Sequence, residues 1–281
     1  MPNAYVIVGA SLAGATAAVT LRQEGADGTI TLIGAEKKAP YERPPLSKAY
    51  LRGETPFETA LVRPPAFYAE QGIETIFGCR AVRIDASGRF VELDDGRRAP
   101  FDRLLITTGG RNRRFSVAGA DLDGIYNLRT VQDADRIRSE TIAGRRVVVV
   151  GMGFIGSEVA ASLRQKDLDV VAIEPSKTPL ARVLGEDVGQ RLADLHQRHG
   201  VRTVFEDTVV AFEGTSRVER VLTKGGRRLE CDFVVAGIGI EPVVDLHDCS
   251  GVQVDNGVDV DEYCQTNVSG GYAAGDVAKH Y

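Results

Sequence analysis

A chain of 281 residues with a net charge of −5, 43% hydrophobic and 26% charged, has the balance of an ordinary globular protein and lacks the basic footprint of a nucleic-acid binder. Its length leaves room for two domains at ~100–200 residues each. No run approaches the ~18 apolar residues of a membrane span, and the opening apolar stretch is cut by glycines and has no basic leader. Neither nucleic acid nor membrane is expected as a partner, and the cytoplasm is the default setting. In chain order, Tyr5 to Gly9 reads as a short buried strand, apolar and β-branched. It enters "GASLAG", after which Ala13 to Glu24 carries helical periodicity, and a second strand, Thr29 to Gly34, ends close to Glu36.

Directly after that strand comes "PYERPPLSK", Pro40 to Lys48. Proline fixes φ and offers no N–H, so Pro44-Pro45 belongs neither to a helix interior nor to a central strand. The stretch reads as a stiff, charged loop.

Further on, "RRVVVVGMGFIGSEVAASLRQKDLDVVAIE" repeats the opening scheme: strand Val147–Val150, glycine turn, helix, strand Val170–Ile173, then Glu174. Each copy is a βαβ unit of the dinucleotide-binding type. Its first glycine makes the tight turn, the second lets the backbone approach a pyrophosphate, and the third packs helix on strand. The helix N-terminus offers free N–H groups to phosphate, and an acid ~20 residues on can bond ribose hydroxyls. Gly151, Gly153 and Gly156 are complete. In the first copy Ser11 stands in the middle position between Gly9 and Gly14, where a small side chain is tolerated. A second echo links "DGRRAPFDRLLITTGG" with "GGRRLECDFVVAGIG", matching Gly96 with Gly226, Asp102 with Asp232 and Gly109 with Gly239. The plan is therefore βαβ, β-meander and closing strand, twice over, and two such sites imply two dinucleotides. In "TNVSGGYAAGD" a short strand Tyr272 to Ala274 precedes Asp276, placed as either an N-cap or a sugar ligand. Cys79, Cys231, Cys249 and Cys264 form no C-x-x-C and no zinc-like cluster, so no metal site is expected.

Taken together, these motifs resemble the two-dinucleotide flavoprotein reductases. "PYERPPLSK" is similar to the loop of NADH-dependent ferredoxin reductases that serve Rieske oxygenases and bacterial haem mono-oxygenases, with rubredoxin reductases and apoptosis-inducing-factor proteins as relatives. The likeness runs the length of the chain, through "LLITTGG", "NLRTVQDADRIR", "VVAGIGIEP" and "YAAGD". It implies an α/β, glutathione-reductase-like fold of two Rossmann-like domains. An FAD domain (residues 1–108 and 240–281) would be interrupted by an NAD(H) domain (109–239). It implies that Gly9, Ser11 and Gly14 face the FAD pyrophosphate and Glu36 its ribose, that Arg43 and Lys48 line the flavin, and that Arg129 and Asp276 contact FAD. Gly151, Gly153, Ile155, Gly156, Glu174 and Gly237 would hold NAD(H), with Glu158 beside the nicotinamide and close to Lys48. On this resemblance the prolines hold Lys48 over the reactive edge of the flavin, where near-attack geometry can lower a barrier by ~7–11 kcal/mol. Glu174 would favour NADH over NADPH, with Lys177 the nearby cation.

The implied reaction passes a hydride from NADH to FAD and then single electrons to a ferredoxin or rubredoxin. With no paired thiol the flavin has no internal acceptor, so electrons leave to an outside partner. Other readings are an NADH oxidase or reductase domain of a larger flavoprotein, and a redox-responsive binding protein of the apoptosis-inducing-factor sort. A monomer or homodimer fits either. Val243 replaces the family's usual asparagine, there is no tryptophan, and Tyr281 falls where a helix after Asp276 should begin. The expectation is therefore a fragment, or the ordered part, of a longer chain, with apolar surface left uncovered and FAD held weakly or not at all.

Overall fold

The computed structural model describes residues 3–247 and 250–280; Cys249 and Tyr281 lie outside the described residues. The chain divides into two compact units. One comprises the segments through residue 42, 58–111 and from 241; the other comprises 43–57 and 112–240.

The first unit is built on a parallel sheet ordered Gly271–Ala273, Arg103–Ile106, Ala4–Val8, Thr29–Gly34, Ile73–Phe77. Successive strand side chains point to opposite faces. Ile7 therefore packs with Ala15, Ala18, Ile30, Leu32 and Tyr68 on the side of helix Leu12–Gln23. Its neighbours Val6 and Val8 pack with Ile84, Val91, Leu93 and Ile106 on the side of an antiparallel meander, Ala81–Asp85, Phe90–Leu93, Arg98–Pro100. Burial on both faces is why the strand is a continuous apolar run instead of an alternating one.

The second unit repeats this. Its parallel sheet runs Arg202–Phe205, Asp169–Glu174, Arg146–Val150, Phe233–Ala236, Ile125–Asn127, and its meander is Val209–Glu213, Arg220–Thr223, Arg228–Glu230. The internal echo has a structural meaning. In the first unit Asp102 Oδ2 accepts from the Ala4 N–H at 2.8 Å while the Asp102 N–H donates to the Ala4 carbonyl at 2.8 Å. In the second, Asp232 does the same to Arg146 at 2.8 and 2.9 Å. Each aspartate clips the start of its sheet's central strand to the strand beside it.

Two expectations change. The segment "PPLS" is not a plain loop: Pro44–Ser47 is a 3-10 turn with the prolines at its first positions, where a missing N–H costs nothing, and it runs into a short α-helix, Ala49–Arg52. It packs with the second unit, apart from the rest of residues 1–108, because Ser47, Tyr50 and Arg52 bond to Glu158, Asp135 and Ser162. After Asp276 no α-helix starts among the described residues. Gly275–Val277 is a single 3-10 turn, and Ala278–Lys279 follows as a strand paired with Gly257–Asp259, with Val277 fully buried. A pairing edge and a buried anchor win here because an isolated short helix is marginal.

Among the described residues no helix is long and apolar enough to cross a membrane, and no cluster of side chains could hold a metal ion.

Candidate functional site

The two glycine turns are superimposable in their contacts. Gly9 has φ +118°, and a Cβ there would lie 2.1 Å from the Thr107 carbonyl oxygen; Gly151 has φ +89° and would meet the Gly237 carbonyl oxygen at 2.4 Å. The third glycines, Gly14 and Gly156, would place a Cβ 2.0 and 1.9 Å from the carbonyl oxygens of Gly9 and Gly151. These positions are glycine because backbone touches backbone. The middle position differs. A Cβ on Gly153 would meet nothing within 4 Å, so the second turn leaves open space over the helix start.

What those helix starts lack is informative. Helix Val131–Glu140, an ordinary helix of the same chain, carries a full capping box between Thr130 and Asp133. Helices Leu12–Gln23 and Phe154–Gln165 have no side-chain cap and no acid in the first turn, while each has an arginine in its last. Their leading N–H groups are left for another acceptor, and the positive end of the dipole is not neutralised. A dinucleotide pyrophosphate supplies what both ends lack. A dinucleotide therefore fits either unit, with Gly9, Ser11 and Gly14 the residues that would hold one and Gly151, Gly153 and Gly156 those that would hold the other.

In the first unit Glu36 follows the second strand, and Tyr41, itself buried, donates to its Oε2 at 2.5 Å. Tyr41 escaped the sequence reading although it lies inside the motif. Asp276 sits in the turn whose Gly275 would bring a Cβ within 3.1 Å of Ala13, so it stands beside the uncapped helix start. In the second unit a cavity of about 490 Å³ is lined by Gly151, Gly153, Glu174, Arg182, Asp207 and Gly237. Glu174 is buried, with Oε2 accepting from the Met152 N–H at 2.7 Å and Oε1 from the Ser176 N–H at 3.0 Å. Burial pushes the Asp207 carboxyl up, but the Thr223 hydroxyl and the Gly225 and Thr208 amides outweigh it, leaving the group below the usual carboxylate range. Lys177 pairs with Glu186 at 3.8 Å and is not among the residues lining this cavity; the cation that lines it is Arg182. Helical patterning around Arg182 gave no signal that it would face a ligand.

A second cavity of the same unit, about 200 Å³, brings together Arg43, Lys48, Arg129, Ile155 and Glu158, with Ser47 and Phe154 at its wall. Lys48 Nζ lies 2.6 Å from Glu158 Oε2 and 3.2 Å from the Pro44 carbonyl oxygen. Arg43 donates through Nη1 to the Arg129 carbonyl oxygen. The sequence-named Lys48 and Glu158 thus meet in this cavity although they lie far apart in the chain. No cysteine among the described residues lines this cavity. Cys231 is buried and its thiol is pushed up by burial to about 12, and Cys79 is raised by burial and by its contact with Asp94. Neither is a reactive thiolate at neutral pH.

Residues 3–281 match the family model described as pyridine nucleotide-disulphide oxidoreductase. This chain belongs to that family. Rhodocoxin reductase of Rhodococcus erythropolis is 41% identical over 278 residues, which are 98% of this chain and 65% of that protein. Putidaredoxin reductase of Pseudomonas putida is 39% identical, covering 98% of this chain and 67% of the relative. Among solved structures, the covalent putidaredoxin reductase–putidaredoxin complex matches with a TM-score of 0.96 at 38% identity, over 99% of this chain and 68% of that one. The chain spans about two thirds of the length of these relatives. An α/β oxidoreductase fold and the use of FAD and a nicotinamide dinucleotide come with the family.

Proposed function

We propose that this family member takes a hydride from NADH and passes single electrons to a ferredoxin or rubredoxin, in a cytoplasmic setting. The observation that carries the reading is the doubled cradle: two glycine turns, two uncapped helices and two second-strand acids in one chain. Relatives named as reductase components of rhodocoxin, putidaredoxin and dioxygenase systems support the choice of acceptor. Bound FAD supplies the conversion of a two-electron hydride into one-electron steps.

The chain's own residues have the remaining tasks. Gly9, Ser11, Gly14, Glu36 and Asp276 hold FAD in the first unit. Gly151, Gly153, Gly156 and Gly237 leave room for the NADH pyrophosphate, and Glu174 accepts from its ribose. Glu158 and Lys48, with Arg43, Arg129 and Ile155 around them, orient the nicotinamide end and present a fixed cation to the site of hydride transfer. With no C-x-x-C pair in the sequence, electrons exit to a protein acceptor.

Anaerobic titration of the FAD-reconstituted chain with NADH tests this. Bleaching of the flavin band, followed by reduction of an added ferredoxin, is expected. A protein that binds FAD and NADH yet never bleaches overturns the reading.

A further inference from the structure

Ser47 carries no signal in the sequence beyond its place after two prolines, yet it is bonded through both its hydroxyl and its carbonyl. Its side chain is 3% exposed. The hydroxyl donates to Glu158 Oε2 at 2.5 Å, with the Pro44 carbonyl oxygen at 3.2 Å as the weaker alternative. The Ser47 carbonyl accepts from the Ser162 hydroxyl at 2.7 Å, and Ser162 Oγ accepts from Arg52 Nη1 at 3.1 Å. Glu158 and Ser162 are four residues apart on helix Phe154–Gln165 and stand on one face. Residue 47 is therefore gripped by two successive turns of one helix, through its hydroxyl and through its carbonyl.

The consequence falls on Glu158. Its Oε2 takes both Ser47 Oγ at 2.5 Å and Lys48 Nζ at 2.6 Å, and its Oε1 accepts from none of the described residues. Lys48 alone would hold the carboxylate poorly. The pair is 44% and 32% exposed, and such pairs are weak and screened by salt. A buried hydroxyl bonded to the same oxygen fixes the side chain in one rotamer.

We propose that Ser47 is a positioning residue: by sharing Oε2 of Glu158 with Lys48, it reserves Oε1 for the carboxamide N–H of the nicotinamide ring. The inference rests on the reading that this unit takes NADH. It adds that ring placement is set through an oxygen chosen by a serine, and that this placement resists salt.

Calorimetric titration of the full chain with NAD⁺ and with ADP-ribose, which lacks the nicotinamide, separates the possibilities. Ser47→Ala should weaken NAD⁺ binding about five- to tenfold and more at high salt, as the loss of one charge-assisted hydrogen bond does. ADP-ribose affinity should stay unchanged. In a Glu158→Ala background the same substitution should have no further effect on NAD⁺, because its route is gone. Equal weakening of both ligands, or an undiminished effect without Glu158, would show that Ser47 acts only through the fold and would overturn the proposal. A wild-type chain that binds neither ligand would instead overturn the reading of the unit itself.

Discussion

Glu174 Oε2 accepts the N–H of Met152, the residue between the first two glycines of the second turn, at 2.7 Å. The acid that would select the ribose also ties the turn that would hold the pyrophosphate. Glu174→Ala is thus a double lesion. It removes the repulsion of a 2′-phosphate and leaves a buried amide without its acceptor, at about 1–3 kcal/mol. Glu174→Gln keeps one acceptor oxygen, for the Met152 N–H, and loses the charge together with the acceptor that serves the Ser176 N–H. We expect chemical denaturation to show Ala well below wild type with Gln between them. Both variants should bind NADPH relative to NADH better than wild type does. Wild-type stability in the Ala variant would show that the Met152 bond carries little.

The two turn glycines should respond in opposite ways. At Gly151, φ of +89° and a Cβ placed 2.4 Å from the Gly237 carbonyl oxygen leave alanine no room. Gly151→Ala should melt well below wild type or fail to fold. Gly153→Ala meets no atom within 4 Å, so its melting temperature should match wild type while NADH affinity falls. Melting curves with and without NADH decide the matter. Tight NADH binding by Gly153→Ala would put the pyrophosphate elsewhere.

Most of this architecture was legible in the chain because its signals are local. A buried β-branched strand, a turn that forbids Cβ atoms and an acid at the next strand end all lie within one βαβ unit. Asp102 and Asp232 were visible as an echo, but their work at the Ala4 and Arg146 amides was not, since it depends on strand pairing. Ser47, Ser162 and Tyr41 were missed for a related reason. Small polar residues have no periodicity, and their value lies in partners such as Glu158, 111 positions away. The strand after Asp276 was missed because helix-start chemistry competes there with pairing to Gly257–Asp259.

Lys48 is suited to action more than to stability. Half exposed, it pairs with Glu158 at 2.6 Å, and such pairs are worth about 0.2–1 kcal/mol. Lys48→Ala should unfold within about 1 kcal/mol of wild type. Stopped-flow flavin reduction by NADH should slow by more than the loss of NADH affinity explains, since in the proposed arrangement Lys48 lies at the reacting end of the ligand. A variant with unchanged reduction rate at saturating NADH would remove Lys48 from the chemical step.

A last prediction concerns acid stability. His196 lies 9% exposed on helix Ala181–Arg198, and burial, with a smaller contribution from His199, lowers its pKa from 6.5. The folded state therefore favours neutral imidazole. Below pH 6.5 the unfolded chain takes up the proton first, so stability is full above that value and declines as pH falls towards the lower folded pKa. Arg164 lines the same cavity, and its positive charge opposes a second one on His196. Asp207, Asp232 and Glu140, whose carboxyls are held below their ordinary range, lose their contributions only at lower pH. Urea unfolding between pH 7.5 and 5 should show wild type losing stability faster than His196→Gln, with the two curves parallel again in stronger acid. Parallel curves throughout that window would mean that the histidine is already free to charge in the folded protein.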